Sequence, residues 1–197
     1  MDRILIDYPG PVLGQSLPLE LANTRYLTRG RPRDGIATVE LLGSWLGQVR
    51  SRLQIPLTDA ELLTVSDAQL SDARDLRDCI HSLAAATADH GRPDAHALDQ
   101  LNRQTRTAPL WTELHWDASP RAGLRSSARP VTAAICEIAA HTVELFAGPR
   151  ASDIQPCRAP NCILYFVKDH ARREWCSPAC GNRVRAARHY GRRPHRT

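Results

Sequence analysis

Aromatic residues are scarce, at 5% of 197 positions with only two phenylalanines, so a sizeable core has to be aliphatic, built from Leu, Ala, Val and Ile as in packed helices. No apolar run approaches the ~20 residues that cross a bilayer. No leader-like segment opens the chain: Met1-Asp2-Arg3-Ile4-Leu5-Ile6-Asp7 is interrupted by acids and then by Pro9-Gly10-Pro11. Together these absences set the expectation of a cytoplasmic protein in reducing surroundings, where paired cysteines bind metal more often than they form disulfides. There is no internal repeat and no low-complexity tract, and the one compositional skew is toward arginine, with Lys168 the sole lysine among 26 basic residues. Catalytic signatures are missing too: there is no glycine-rich phosphate loop, no nucleophile elbow and no pair of catalytic carboxylates. Asp72, Asp75 and Asp78 with Arg74 and Arg77 read as charge pairs at helical spacing. His81, His90, His96, His115 and His141 share no ligand spacing. The chain is therefore not expected to be an enzyme.

Four cysteines lie close together near the end: Cys157, Cys162, Cys176 and Cys180, spaced C-x4-C, thirteen residues, C-x3-C. Each close pair can hold one side of a tetrahedral ion, and the gap lets the chain fold back, so the spacing predicts one structural Zn2+ held by four thiolates, with a disulfide pair as the alternative. Four sulfur ligands leave no open position for a catalytic water. His170, His189 and His195 are read as surface or phosphate-facing residues. Cys79 and Cys136 are isolated within helical patterns and read as small core residues.

Charge is divided unevenly. Residues 1–150 are close to neutral, whereas residues 151–197 hold ten basic against three acidic residues, a net +7. A basic segment beside a neutral body is the electrostatic footprint of a phosphate-bearing partner.

Along the chain, residues 1–35 read as irregular, broken by Pro9, Pro11, Pro18 and Pro32, with Leu17 to Leu21 as a short strand or turn. Thr38 caps a helix in which Val39, Leu41, Leu42, Trp45, Leu46 and Val49 fall at three- and four-residue spacing. Thr58 with Glu61, and Ser66 with Gln69, read as capping boxes. The second opens a long helix to about His90, closed by Gly91 at the position after the cap and by Pro93. Asp94–Arg103 is a further short helix. Leu110–Trp116 alternates and is rich in strand formers, 118–123 supplies a turn, and Leu124–Ser127 returns as a hairpin. Pro130 opens a strong helix that Gly148-Pro149 stops. The fold class is α+β: a mostly helical domain over 1–150 with a small antiparallel β-hairpin, then a zinc finger over 151–197.

Within that finger, Ile163–Val167 is a β-prone arm beside the metal, and Trp175 can pack on it. Arg158, Lys168 and Arg173 are candidates to offset the thiolate charge, with the amino end of the last helix. Ser177 and Pro178 mark that helix start, with Cys180 in its first turn. A knuckle and hairpin followed by a ligand-bearing helix resembles the treble-clef zinc modules. Arg185, Arg188 and Arg192 form one stripe, Val184 and Ala187 can face the module, and Arg193 and Arg196 extend the charge. The candidate nucleic-acid contacts are Arg173, Asn182, Arg183, Arg185, Arg188, Arg192 and Arg193. Asn182 has two readings, a base contact or a hydrogen bond tying knuckle to helix. In the first domain, Asn23, Thr24, Trp45 and Trp111 are candidates to line a small-molecule pocket, or else cap and core residues.

Trp175-Cys176-Ser177-Pro178-Ala179-Cys180-Gly181-Asn182-Arg183, with Cys157-Arg158-Ala159-Pro160-Asn161-Cys162 upstream, resembles the CGNR zinc finger. Leu19-Glu20-Leu21-Ala22-Asn23-Thr24 resembles the opening Leu-Asp-Phe-x-Asn-Thr of the ABATE domain that precedes that finger, with Glu-Leu in place of Asp-Phe. The resemblance implies a bacterial, stress-responsive transcription regulator. Its finger would bind double-stranded DNA, and its first domain would sense a small-molecule effector or form a homodimer. A finger docking on an acidic protein of the transcription machinery is the competing reading.

Overall fold

The computed structural model describes residues 5–191. In chain order the elements are α1 (Leu17–Ala22), β1 (Arg25–Thr28), β2 (Arg31–Asp34), α2 (Val39–Val49), α3 (Asp59–Leu62), α4 (Asp67–Ala88), α5 (Ala95–Thr107), β3 (Leu110–Trp116), β4 (Pro120–Ser126), α6 (Pro130–Ala147), β5 (Ile154–Pro156), β6 (Tyr165–Val167) and α7 (Pro178–Gly191). The described strands form three separate two-stranded antiparallel sheets, β1-β2, β3-β4 and β5-β6. The fold is mostly helical with small hairpins and a C-terminal cysteine module, as expected.

The capping residues act as the sequence implies. The Thr38 side chain accepts from the Leu41 amide. Thr58 with Glu61 and Ser66 with Gln69 both close capping boxes, which satisfy amides that a helix start leaves open. At the end of α4 the left-handed residue is His90 (φ 54°), not Gly91. His90 N–H donates to Thr87 O and Gly91 N–H to Ala86 O, so Gly91 sits one residue past the αL position that the sequence assigns to it.

Residues 17–34 depart from the irregular reading. Leu17–Ala22 is helical, with Pro18 in its first turn, where a missing N–H costs nothing. β1 and β2 then make a hairpin turning on Arg29 and Gly30, both with positive φ. Two left-handed residues give a turn whose twist matches the strands, and Arg-Gly was the available signal. Pro32 hides it, because proline argues against a strand in the interior of a sheet, whereas each strand of a lone hairpin is an edge. The later hairpin is found where expected, but its turn is tighter: β4 starts at Pro120, pairing Trp116 with Pro120 and Leu110 with Ser126.

α4 packs against α1, α5 and α6 around an aliphatic core that includes Leu19, Leu42, Leu46, Leu76, Ile80 and Ile138. Cys79 and Cys136 are buried free thiols, and Cys136 donates to Gln104 O. α6 is an exception to the absence of membrane-length apolar segments: it has 18 residues with mean hydropathy 1.2, half of that window buried. It packs against α1, α4 and α5.

The hairpin β5-β6 is a wall between two cores. Tyr165 and Val167 face the helical core, while Phe166 between them belongs to a second cluster with Leu164, Val184 and three of the four clustered cysteines. The outer edge of β6 is closed by side-chain amides from the start of the chain. Asn23 donates through Nδ2 to Tyr165 O (2.9 Å) and accepts at Oδ1 from Tyr165 N–H (2.9 Å). Gln15 Oε1 accepts from Val167 N–H (3.0 Å). The fully buried Glu20 in turn accepts from the Leu13 and Gln15 amides, which holds the segment that carries Gln15. Replacing Asn23→Ala leaves the buried Tyr165 N–H and C=O unpaired, at about 1–3 kcal/mol per group. Urea unfolding should therefore show a loss of about 2–6 kcal/mol, and a loss no larger than that of a surface substitution would mean the clasp is idle.

Candidate metal centre and basic helix

Four local devices bring the sulfurs together. Cys157 leaves β5 with its amide bonded to Leu164 O (2.8 Å). The knuckle turns at Asn161 (φ 56°), and Cys162 N–H donates back to Ala159 O. Arg173 N–H donates to His170 O in the return from β6. Ser177 then caps α7, accepting from the Cys180 amide at 3.3 Å, and so places Cys180 in its first turn.

The four Sγ atoms all lie within 4.8 Å of one another. Cys162 to Cys176 is 3.8 Å and Cys176 to Cys180 is 3.5 Å. A tetrahedron with Zn–S bonds of about 2.3 Å has edges of about 3.8 Å, whereas a disulfide needs about 2.05 Å. The donor set, four thiols and no carboxylate, suits zinc, and the spacing suits a closed structural site. Cys157, Cys176 and Cys180 are buried and Cys162 partly so.

The thiols cannot ionise independently. Hydrogen bonds from the Cys162 and Cys176 thiols push the Cys157 pKa far down, while donating to Cys157 pushes both Cys162 and Cys176 up. Only a bound cation lets all four share the site as thiolates. Two contacts offset the excess charge: Cys176 N–H donates to Cys157 Sγ (3.4 Å), and Arg183 Nη2 donates to Cys180 Sγ (3.5 Å).

That arginine has a role inside the module that the sequence reading did not assign to it. Arg183 also donates through Nη1 to Pro160 O (2.8 Å) and Asn161 O (3.0 Å), so it ties α7 to the first knuckle. Arg173 likewise works inside the module. It pairs with Asp169 (2.9 Å), donates to Cys176 O (3.2 Å) and lies over the Phe166 ring with its centre 5.0 Å away. Asn182 does not make the expected tie from helix to knuckle: its Oδ1 accepts from Arg185 on its own helix. Arg185 and Arg188 are exposed on one stripe of α7, each one turn on from a buried residue, Gly181 and Val184, while Ala187 is exposed instead of facing the module. Arg192 and Arg193, with Arg196 and His195, lie outside the described residues. Gly181 has a packing reason: a Cβ there would stand 3.1 Å from Trp175 Cδ1 and 3.3 Å from Arg185 Nη1.

The four pocket candidates are not brought together. Asn23 holds β6, Thr24 donates its hydroxyl to Leu21 O, and Trp45 is fully buried in the helical core. Trp111 is 42% exposed on β3, bonded to Glu113. The contribution of Gln15 and Glu20 had no sequence signal beyond their place beside the Asn23 segment.

Residues 15–149 match the family model ABATE, described as a putative stress-induced transcription regulator, and residues 154–193 match the CGNR zinc finger. Neither is a catalytic family. No curated protein matches the chain.

Because β6 serves both cores, zinc should stabilise the whole chain. Removing it by chelation, or substituting Cys176→Ser, is expected to lower the thermal midpoint by about 10 °C, for a loss of about 4 kcal/mol at roughly 2–4 °C per kcal/mol. Calorimetry with zinc counted per chain checks this, and an unchanged midpoint in metal-free protein would contradict it.

Proposed function

Because the chain belongs to the ABATE family and ends in a CGNR zinc finger, we propose that it is a transcription regulator that binds double-stranded DNA through α7. A zinc-finger regulatory protein is the family-level reading, and duplex binding is the finer step. The observation that supports it is the division among the finger's arginines: Arg173 and Arg183 are spent on the module, while Arg185 and Arg188 stand exposed one turn apart on a helix that the metal fixes. The net +7 of residues 151–197 favours a polyanion, and a helix carrying outward arginines suits the major groove.

Asn182 fits this reading as a positioning residue. By accepting from Arg185 it limits the rotamers of that side chain and lowers the entropy cost of a fixed contact. One helix offers few base contacts, so a homodimer reading two half-sites is the arrangement that would give useful specificity.

Duplex affinity should fall steeply with salt, and each phosphate contact removed shallows the log–log slope by about 0.9. The double substitution Arg185→Ala with Arg188→Ala is thus expected to reduce the slope by about 2 while leaving zinc content unchanged. Arg183→Ala is expected to weaken zinc retention as well as DNA binding. An unaltered slope in the double variant takes α7 out of the interface.

A further inference from the structure

A groove of about 450 Å³ runs between the start of the chain and the finger. Its walls are Pro11, Leu13, Leu27 and Leu164, with Tyr26 beside them and Arg183 at the finger side. Two zinc ligands, Cys162 and Cys180, also reach its surface, and Cys162 is the ligand that is not fully buried. The volume is that of a small-molecule site, and its composition, an apolar lining with a few polar groups, is what such sites have in common.

Among the described residues no Asp or Glu lines the groove, and the one cation among them that does is already engaged. Arg183 is bonded to Pro160 O, Asn161 O and Cys180 Sγ, so its charge is matched by the thiolate site. The Ser177 hydroxyl accepts from the Cys180 amide. An anionic ligand would meet thiolate charge, a cationic one would meet Arg183, and either would disturb a pairing that the finger needs. Chemistry of the walls and balance of the charges therefore select the same class.

We propose that this groove binds an uncharged, largely apolar small molecule, aromatic or aliphatic, at the seam between the N-terminal segment and the zinc finger. The ligand covers Cys162, and with it the open side of the metal centre. It also touches the first domain through Leu13, Tyr26 and Leu27. Occupancy thereby strengthens the seam and slows zinc loss. Any effect of that occupancy on regulation rests on the DNA-binding reading; the binding itself does not.

The test uses the zinc-loaded full chain and two fluorescent probes that differ by one sulfonate, N-phenyl-1-naphthylamine and 1-anilinonaphthalene-8-sulfonate. The uncharged probe should bind saturably at one per chain. The sulfonate should bind at least about tenfold more weakly, since burying an unpaired anion costs more than about 1.4 kcal/mol. Leu27→Trp and, independently, Ala179→Leu fill the groove and should each weaken the uncharged probe about tenfold. At a probe concentration about ten times its Kd, zinc transfer to a chelator should slow about tenfold. The proposal is overturned by absence of saturable uptake, whether the chain is then a monomer or has filled the groove with a second copy. Equal affinity for the two probes, or full binding by both folded variants, overturns it as well. Duplex binding measured on the same samples separates the two readings: a chain that takes up the probe and ignores DNA sinks the proposed function alone.

Discussion

Four sulfur atoms placed within 4.8 Å of one another are the constraint on which the rest of this structure depends. As thiolates they repel, as thiols they compete for protons, and a single divalent ion resolves both difficulties. The cluster around them is small: Leu164, Phe166, Val184, Ala159 and the buried cysteines, with Trp175 packed on its rim. An apolar core of that size cannot offset the entropy of ordering some forty residues, at about 1–2 kcal/mol for each backbone. The ion supplies what hydrophobic burial does not, and it does so at the cost of fixing the register of β6 against α7.

That register matters because β6 is shared. The side chains of Tyr165 and Val167 point into the helical core, and Tyr165 meets His81 edge to face with ring centres 5.0 Å apart. A strand of three residues would be a poor partner on its own, since its outer edge exposes unpaired N–H and C=O groups. Asn23 and Gln15 close that edge with side-chain amides at alternate residues, as a neighbouring strand would. Glu20 keeps Gln15 in place although burial pushes its carboxyl pKa up against the amides and Arg52 that favour the charged form. A buried polar network of this kind is tolerable only when satisfied throughout, and a fully satisfied one imposes a single docking geometry. The short segment with the family-like Asn-Thr ending is thus a clasp between the first domain and the finger.

Much of this was legible in the sequence, and what was not has a physical cause. Cysteine spacing, the Ser177-Pro178 helix start and both capping boxes are local signals with one structural solution each, so the metal centre and most helices could be read directly. The β1-β2 hairpin was hidden because Pro32 argues against strand only where a ladder bond is lost, and here none is. β5 was missed because Ile154–Pro156 is three residues long and owes its strand form to β6. Asn23 was noticed as either a pocket or a cap and core residue, but its clasp on β6 was not foreseen, since a side chain that bonds a backbone 142 residues away leaves no periodicity behind. Arg183 was read only as a nucleic-acid contact, and Arg173 both as such a contact and as an offset to the thiolate charge, because composition counts charge and is blind to what the charge faces.

The arginines show why net charge alone says little about a binding face. Arg183 sits at the third residue after Cys180, one turn on, which brings its guanidinium back over the thiolate and the knuckle carbonyls. The planar fork can donate to two carbonyls and a sulfur at once, a geometry that a lysine ammonium does not match. Arg185 and Arg188 lie away from Arg183 on the same helix and are exposed, with Arg185 bonded to the Asn182 amide oxygen and its guanidinium beside Gly181. The side of the helix with Cys180 and Arg183 is therefore committed to holding the metal site closed, and the side with Arg185 and Arg188 is left exposed. Since both are fixed by the same rigid turn at Ser177, loss of the ion removes the fold of the first face and the orientation of the second together.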